Sequence, residues 1–317
     1  MSKILAVFGA TGQQGASVIN HVLSDPELSK QYKIRAITRD VNSAKAKQLS
    51  AKVEVVRGDM EDRASLEAAL TGAHTVFIMT VPSFAPSGTE VEYEQAKTMA
   101  DVAVDKGAQY IILSTLPSPS QISGGKYTRV GPFESKARAE RYIRGLPVKS
   151  AFFSGGYFMS NWALQPFLGP KKVEGEEETW VIGRPFPGST LMPYFDVDAD
   201  AGKFVGAILA EPDRLEGKVI CAAQALYPIE ECAAIISRAT GKNVIFKQIS
   251  IEEAKKAFAG LPPVFEDIFA DAFQCQAEFG YWGPESAKLV EEGKKLARGR
   301  LTTLEEFFQK HPLALQE

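Results

Sequence analysis

The chain has 317 residues, 45% of them hydrophobic and 24% charged, and its formal net charge is −3. This length suits one large α/β domain or a large domain with a smaller lobe. The weak negative charge argues against direct binding of nucleic acid or of an anionic membrane surface, and no apolar run approaches the roughly 18 residues that span a bilayer.

Strand and helix patterns alternate through the first half of the chain. Apolar runs of strand length alternate with segments whose apolar residues recur at helical spacing. The predicted strands cover residues 4–8, 34–38, 53–56, 75–79, 110–113 and, as a sixth, 148–153. The predicted helices between the first five strands cover residues 13–23, 44–49, 63–70 and 91–105. This alternation predicts an α/β fold with a doubly wound, parallel Rossmann sheet.

The pattern loosens after residue 150. The aromatic-rich residues 157–162 predict a loop that enters a short helix, residues 180–183 a short strand, and residues 200–209 an apolar helix. Ser250 and Thr303 each precede a glutamate by three residues, which is the capping box of a helix start. The acidic residues 196–200 lack the glycine and glutamate of a calcium loop and instead predict a helix N-terminus.

We therefore divide the chain into a nucleotide-binding Rossmann domain, residues 1–155, and a smaller mixed α/β lobe, residues 156–317. Some segments of the second part are expected to return to the Rossmann sheet.

A glycine-rich turn follows the first predicted strand, with the sequence GATGQQG at residues 9–15. Gly9 permits a tight turn, Gly12 lets the backbone approach a pyrophosphate, and Gly15 lets the helix pack closely on the strand. The phosphates would then contact free N–H groups at the helix start. The turn makes Thr11, Gln13 and Gln14 candidate cofactor residues together with the glycines.

The end of the second strand indicates which dinucleotide binds. An acidic residue there takes the ribose 2′-hydroxyl of NAD, whereas an arginine takes the 2′-phosphate of NADP. The sequence is Thr38-Arg39-Asp40, so Arg39 is placed to bind a phosphate and NADP(H) is the predicted cofactor. Asp40 would repel that phosphate if it pointed inward, and Arg39 has the alternative interpretation of a solvated surface residue.

Two later strand ends supply further candidate cofactor residues. Asp59 follows the third strand and would either accept from an adenine amino group or cap the next helix. Thr80 and Val81 follow the fourth strand at the carboxyl edge of the sheet, where ligands bind in open α/β folds.

These features together resemble the NmrA-like family of atypical short-chain dehydrogenase/reductases. The resemblance spans essentially the whole chain, and the segments that carry it are GATGQQG (9–15), TRD (38–40), GD (58–59), FESK (133–136), ERYIR (140–144), GYFMSN (156–161) and DVDADAG (196–202). It implies cofactor contacts at Tyr157 and Asn161.

The wider superfamily uses a serine and a Tyr-x-x-x-Lys arrangement, in which the tyrosine is the general acid. Lys136 matches the lysine and Ser114 the serine, but Pro132 stands where the tyrosine is expected. The resemblance therefore implies that Lys136 contacts the cofactor ribose, while a standard alcohol dehydrogenase mechanism is not predicted. Tyr127 and Tyr157 are the candidate replacement acids.

Cysteine and histidine patterns predict neither disulfides nor a metal site. Three widely spaced cysteines read as reduced thiols, and no His-x-x-x-His pair occurs among the three histidines. Without the pattern of a cleavable leader, we expect a protein of the cytoplasm, with the nucleus as a second location, that is not bound to a membrane.

Two hypotheses for function remain open. Aromatic residues in loops, such as Phe84 and Phe158, predict an apolar pocket, although helical aromatics such as Phe265 are typical of core packing. In the first hypothesis the protein is an NADP(H)-dependent reductase or related catalyst that acts on an apolar carbonyl, imine or enone. In the second it is a non-catalytic NADPH/NADP redox sensor that regulates a transcription factor or an enzyme, as the family resemblance implies.

Overall fold

The computed structural model describes residues 2–85, 87–176 and 178–315. Within these residues the strands are, in chain order, β1 (Lys3–Val7), β2 (Tyr32–Thr38), β3 (Glu54–Arg57), β4 (Thr75–Ile78), β5 (Tyr110–Thr115), β6 (Lys149–Gly155), β7 (Tyr157–Phe158), β8 (Lys171–Lys172), β9 (Thr179–Arg184), β10 (Leu191–Phe195), β11 (Val219–Ala222), β12 (Ala225–Pro228) and β13 (Asn243–Gln248).

The α-helices of the same residues alternate with the first six strands and then become more frequent. They are α1 (Gln13–Ser24), α2 (Leu28–Gln31), α3 (Ala44–Ser50), α4 (Arg63–Leu70), α5 (Gly88–Asp105), α6 (Pro119–Ile122), α7 (Gly131–Arg144), α8 (Asn161–Leu164), α9 (Val197–Ala210), α10 (Ile229–Thr240), α11 (Ile251–Lys255), α12 (Val264–Phe279), α13 (Ser286–Leu296) and α14 (Leu304–Lys310). Short 3₁₀ helices occur at Pro166–Leu168 and Lys256–Phe258.

The main sheet has seven parallel strands in the order β3-β2-β1-β4-β5-β6-β11. The sequence predicts its first six strands and the doubly wound fold, and both predictions are confirmed. The seventh strand, β11, comes from the second half of the chain and pairs with the outer side of β6. The short connections after β1, β4 and β5 meet at one edge of the sheet, which is where ligands bind in such folds.

Helices cover both faces of this sheet, and each face has its own apolar core. Helices α1 and α9 pack on one face, while α4, α5 and α7 pack on the other. The neighbouring residues Phe152 and Phe153 of β6 illustrate the division, because Phe152 belongs to the second core and Phe153 to the first. Both are fully buried, as expected for a parallel strand that is covered on both sides.

A smaller lobe contains two three-stranded sheets, in the orders β12-β10-β7 and β13-β9-β8. The predicted loop at residues 157–162 is corrected in part, because Tyr157 and Phe158 form β7 by pairing with β10. The predicted capping boxes at Ser250 and Thr303 are both confirmed, and Asp196 caps α9 as its acidic start suggested. In the described residues, no helix is both long enough and apolar enough to span a membrane.

Candidate functional site

The glycine turn between β1 and α1 has the geometry of a phosphate cradle. Gly9 adopts a φ of 63°, a left-handed conformation that favours glycine. A Cβ atom on Gly15 would lie 2.3 Å from the carbonyl oxygen of Gly9, so only glycine permits this close approach. Gly12 is the N-cap of α1 and supplies no capping side chain, which leaves the first N–H groups of the helix free for an anion.

The two glutamines of the turn contact different parts of the molecule. Gln13 Nε2 donates to Ser160 Oγ at 3.0 Å and to Asp198 Oδ2 at 2.9 Å, which ties the turn to the smaller lobe. Gln14 Oε1 accepts a hydrogen bond from Ser114 Oγ at 2.7 Å. Neither predicted residue is an isolated surface side chain, and Gln14 turns toward the cavity described below.

Arg39 lies at the end of β2, exposed, and forms no ion pair with any residue that the structure describes. The Asp40 carboxylate accepts from the backbone N–H of Asn42 at 2.8 Å within its own loop. Sequence reasoning missed Lys45, whose Nζ lies 3.4 Å from the carbonyl oxygen of Thr11 in the glycine turn. Lys45 therefore adds a cation beside the glycine turn, and Arg39 follows β2 as the sequence predicts, which fits an NADP 2′-phosphate in this region.

Asp59 does not cap the helix that follows it. The N-cap of α4 is Asp62, whose carboxylate accepts from the backbone N–H of Ser65 at 3.2 Å. Asp59 instead accepts from the backbone N–H of Glu61 at 3.2 Å. The capping interpretation of Asp59 is thus wrong, while its contact with an adenine stays a prediction.

A cavity of about 360 Å³ opens at the carboxyl ends of β4, β5 and β6. Its wall is mainly apolar and aromatic. The predicted site residues that line it are Gln14, Thr80, Val81, Ser114, Lys136, Tyr157 and Asn161, and its aromatic side chains are Phe84, Phe133, Phe158, Phe269 and Tyr281. The structure therefore brings Lys136, which matches the superfamily lysine, together with the loop residues Phe84 and Phe158 in one cavity next to the glycine turn.

A buried carboxylate organises the polar side of this cavity. Glu92 on α5 is 1% exposed, and Lys136 on α7 is 7% exposed. The Lys136 ammonium donates to Glu92 Oε1, which also accepts from Thr80 Oγ1 at 2.7 Å. The second oxygen, Oε2, accepts from Ser135 Oγ at 2.6 Å. The Glu92 carboxylate thus accepts hydrogen bonds from Thr80, Ser135 and Lys136, and it fixes the position of the Lys136 ammonium.

Burial and the Glu92 carboxylate shift the pKa of Lys136 in opposite directions. Removal of the ammonium from water lowers the pKa of Lys136, and the Glu92 carboxylate partly offsets that change by favouring the charged form. Lys136 is the one charged side chain among the described residues that line the cavity.

Sequence reasoning missed Glu92, although a signal was present. Glu92 precedes Ala96 by four residues and Met99 by seven, and both of these residues are buried. This spacing places Glu92 on the buried face of a helix. A carboxylate on such a face requires a partner, and Lys136 is that partner.

The two tyrosines proposed as acids lie in different surroundings. Tyr157 lines the cavity, but its hydroxyl is engaged with Gln276 Oε1 at 2.8 Å, and burial raises the pKa of Tyr157. Tyr127 is not among the described lining residues of the cavity, and its hydroxyl donates to Glu278 Oε2 at 2.9 Å. Pro132 does line the cavity, at the position where the superfamily tyrosine is expected. The structure therefore does not bring Tyr127 to the other candidate residues.

Comparison with known proteins extends this description. The sequence model of the NmrA-like family matches residues 1–308. The NmrA-like family domain-containing oxidoreductase hkm9 of Aspergillus hancockii is 27% identical over 336 residues, covering 98% of this chain and 97% of the relative.

Two solved structures share the fold across nearly the whole chain. One is NmrA, a negative transcriptional regulator, in complex with NADP; it has a TM-score of 0.79 and 22% identity, with 98% of this chain and 95% of NmrA covered. NmrA has also been crystallised with NAD. The other is the Citrobacter sp. triphenylmethane reductase complexed with NADP(H). It has a TM-score of 0.74 and 23% identity, with 98% of this chain and 99% of the reductase covered.

Proposed function

Since the chain belongs to the NmrA-like family, we propose that it is an NADP(H)-dependent reductase of apolar carbonyl, imine or enone compounds. The observation that carries this proposal is the aromatic-walled cavity of about 360 Å³ beside the glycine turn. A concave, mainly apolar space with a few fixed polar groups is typical of a small-molecule site. The coarser assignment, to a family of NAD(P)-binding oxidoreductases, agrees with the names of its relatives.

Several residues of the first half would contact the cofactor. The uncapped start of α1 would hold the pyrophosphate, and Arg39 with Lys45 would hold the 2′-phosphate. Bound NADPH supplies the hydride. Lys136 lines the cavity with its ammonium held by Glu92, so it would hold the ribose.

The substrate class follows from the shortage of acids in the cavity. The hydroxyls of Thr80, Ser114 and Tyr157 are each engaged with a side-chain oxygen. This arrangement favours acceptors whose reduced product is stabilised by conjugation, because such acceptors need little help from a general acid. Quinones and enones meet that condition better than simple ketones do, because hydride addition gives a resonance-stabilised phenolate or enolate, whereas an imine must first be protonated.

The test is the rate of NADPH oxidation with a matched panel of acceptors. We expect turnover with 1,4-naphthoquinone or cinnamaldehyde, slower turnover with an N-aryl imine, which must first be protonated, and much slower turnover with cyclohexanone. Lys136→Met should lower kcat with each accepted substrate, while Lys97→Met, at a half-buried position of α5 outside the cavity lining, should leave it unchanged. Absence of turnover with the whole panel, in protein that binds NADPH, would count against a reductase.

The alternative is a redox sensor, and the proline at position 132 favours it. A protein without the usual acid would bind the cofactor without using it, and NmrA itself is described as a transcriptional regulator. This function requires a regulatory protein partner whose affinity differs between the NADPH-bound and NADP-bound states. Equal partner affinity in the two states would exclude it.

A further inference from the structure

A second cavity, of about 510 Å³, lies in the smaller lobe. Strands β8, β9 and β13 form one side of it, and α11 with the following 3₁₀ helix forms another. None of its described lining residues is shared with the cavity beside the glycine turn. A narrow space of about 20 Å³ lies between the two cavities: it shares Leu168, Arg184 and Phe273 with this cavity and Tyr157, Asn161 and Gln165 with the first. The main volumes of the two cavities are distinct, so what the second cavity binds does not depend on the reductase proposal.

The most unusual residue of this cavity is Arg184, at the end of β9. Its side chain is buried, with the whole residue only 7% exposed. The guanidinium donates from Nη1 to the carbonyl oxygen of Gly183 at 2.8 Å and from Nη2 to that of Leu168. In the part of the chain that the structure describes, no carboxylate forms an ion pair with it.

A buried cation without a counter-ion is costly, and folded proteins seldom retain one. The same burial lowers the pKa of Arg184, although the guanidinium keeps its proton at any physiological pH. Two backbone carbonyls satisfy two of its five N–H groups, and the remaining donors have no acceptor among the described residues. Arg184 is thus prepared to bind an anion that the chain itself does not supply.

Four lysines surround the same space: Lys171, Lys172, Lys247 and Lys256. The single acidic lining residue among the described residues is Glu253, and its carboxylate is occupied by the N–H and hydroxyl of Ser250 in a capping box. The described glutamates of the β8–β9 turn, at positions 174, 176 and 178, do not line the cavity. The cavity therefore has a strongly positive lining.

The rest of the wall is apolar. Phe167, Phe258 and Phe273 contribute aromatic faces, and Val181 and Ile249 contribute aliphatic ones. The Phe273 ring centre lies 5.7 Å from the Arg184 guanidinium carbon, so charge and apolar surface adjoin each other at the buried end. An inorganic ion would satisfy only the cations, whereas this wall also requires an apolar group.

We propose that this cavity binds an amphipathic organic anion, with a carboxylate or phosphate head group on Arg184 and an apolar body against the phenylalanines. The head group forms bidentate hydrogen bonds with the planar guanidinium. The lysines attract the ligand and contact its head group from the solvent side. The volume is within the range of small-molecule pockets.

The test is calorimetric titration of the NADPH-saturated protein with three probes of equal chain length: decanoate, decyl phosphate and decanol. We expect both anions to bind with a Kd below about 1 mM and decanol to bind about tenfold more weakly. Comparison of the two anions shows which head group is preferred, and a preference for either supports the site.

Two variants locate the binding. Arg184→Met should weaken anion binding about tenfold or more, because a charge-assisted hydrogen bond is lost. It should not lower the stability of the ligand-free protein, because an unpaired buried charge is removed. The double variant Lys247→Gln/Lys256→Gln changes only exposed residues and should also weaken binding, whereas Lys242→Gln/Lys255→Gln, outside the lining, should not.

Three outcomes would overturn the proposal. These are the absence of anion binding up to about 10 mM, equal affinity for decanoate and decanol, and equal anion affinity in the wild-type protein and Arg184→Met. The last result would mean that Arg184 does not bind the head group.

Discussion

The buried pair of Glu92 and Lys136 allows a sharp quantitative prediction. Glu92→Gln keeps the size of the side chain and an oxygen for one of the two hydroxyls, Thr80 or Ser135, which donate to different carboxylate oxygens, and it removes the negative charge. The ammonium of Lys136 then stays buried without a counter-ion. Breaking a buried pair from one side costs about 3–5 kcal/mol, which is a large part of the 5–15 kcal/mol stability typical of a folded protein.

Lys136→Met removes the other charge and should cost a similar amount, about 3–5 kcal/mol, because the carboxylate then loses its counter-ion. The double variant leaves neither charge, so its loss of stability should be far smaller than the sum of the single losses. We expect a coupling free energy of about 3 kcal/mol, at the upper end of the range for contacting residues. The control is the more exposed pair Lys97–Asp101 on the same helix, with Nζ and Oδ2 2.9 Å apart, for which we expect less than about 1 kcal/mol.

The assay is urea unfolding of the four proteins in each cycle, followed by far-UV circular dichroism at several pH values. The pH dependence has a definite sign. When the folded-state pKa of Lys136 is below that of the unfolded chain, about 10.4, the unfolded state binds more protons and stability rises with pH across that interval. The rise should be steeper in Glu92→Gln, because the carboxylate no longer offsets the effect of burial.

Additive losses in the Glu92 and Lys136 cycle would refute this reasoning. So would a stability of Glu92→Gln that does not change between neutral and alkaline pH. Either result would mean that solvent or another group compensates the lysine, and that the carboxylate does not control its charge.

Three further predictions concern the turn, the cofactor phosphate and the thiols. Arg39→Ala should weaken NADPH binding by about 1.5–3 kcal/mol, at least roughly tenfold in Kd, and leave NADH binding nearly unchanged. Equal losses in fluorescence titrations with both cofactors would contradict a 2′-phosphate contact. Gly15→Ala should abolish binding of both cofactors and lower the melting temperature, because the new Cβ would lie 2.3 Å from the Gly9 carbonyl oxygen. Burial raises the pKa of Cys221 to about 12 and that of Cys275 to about 11, so native protein at pH 8 should react with a thiol reagent far more slowly than urea-unfolded protein.

The sequence predicts features whose residues are close together along the chain. The glycine turn, the strand ends and both capping boxes depend on contacts within a few residues, and the structure confirms the two boxes. The identity of the α4 cap was missed because Asp59 and Asp62 both precede that helix, and only the backbone path shows which one faces it.

Features that depend on contacts between distant segments could not be predicted in the same way. Lys136 on α7 forms its ion pair with Glu92 on α5, more than one helix earlier in the chain. Tyr127 donates its hydroxyl hydrogen bond to Glu278 on α12 and does not line the cavity. The absence of a counter-ion beside Arg184 is a property of everything that surrounds it. The periodicity of apolar residues shows which face of a helix or strand is buried. It does not show whether a charged side chain on that face has a counter-ion from a distant segment.

The pairing of β11 with β6 has a consequence for how the chain folds during synthesis. The first 155 residues contain six strands of the main sheet, but the edge of β6 stays unpaired until residues 219–222 have been made. Helix α1 likewise lacks one of its packing partners until α9 has been made, since the two helices pack in one core and the Gly202 N–H of α9 donates to Ser17 Oγ of α1 at 3.0 Å. An amino-terminal fragment that ends at residue 155 would expose a flat apolar strand edge and an uncovered helix, which are features of aggregation-prone intermediates. Such a fragment should therefore aggregate more readily than the full chain, in which β11 and α9 cover these surfaces.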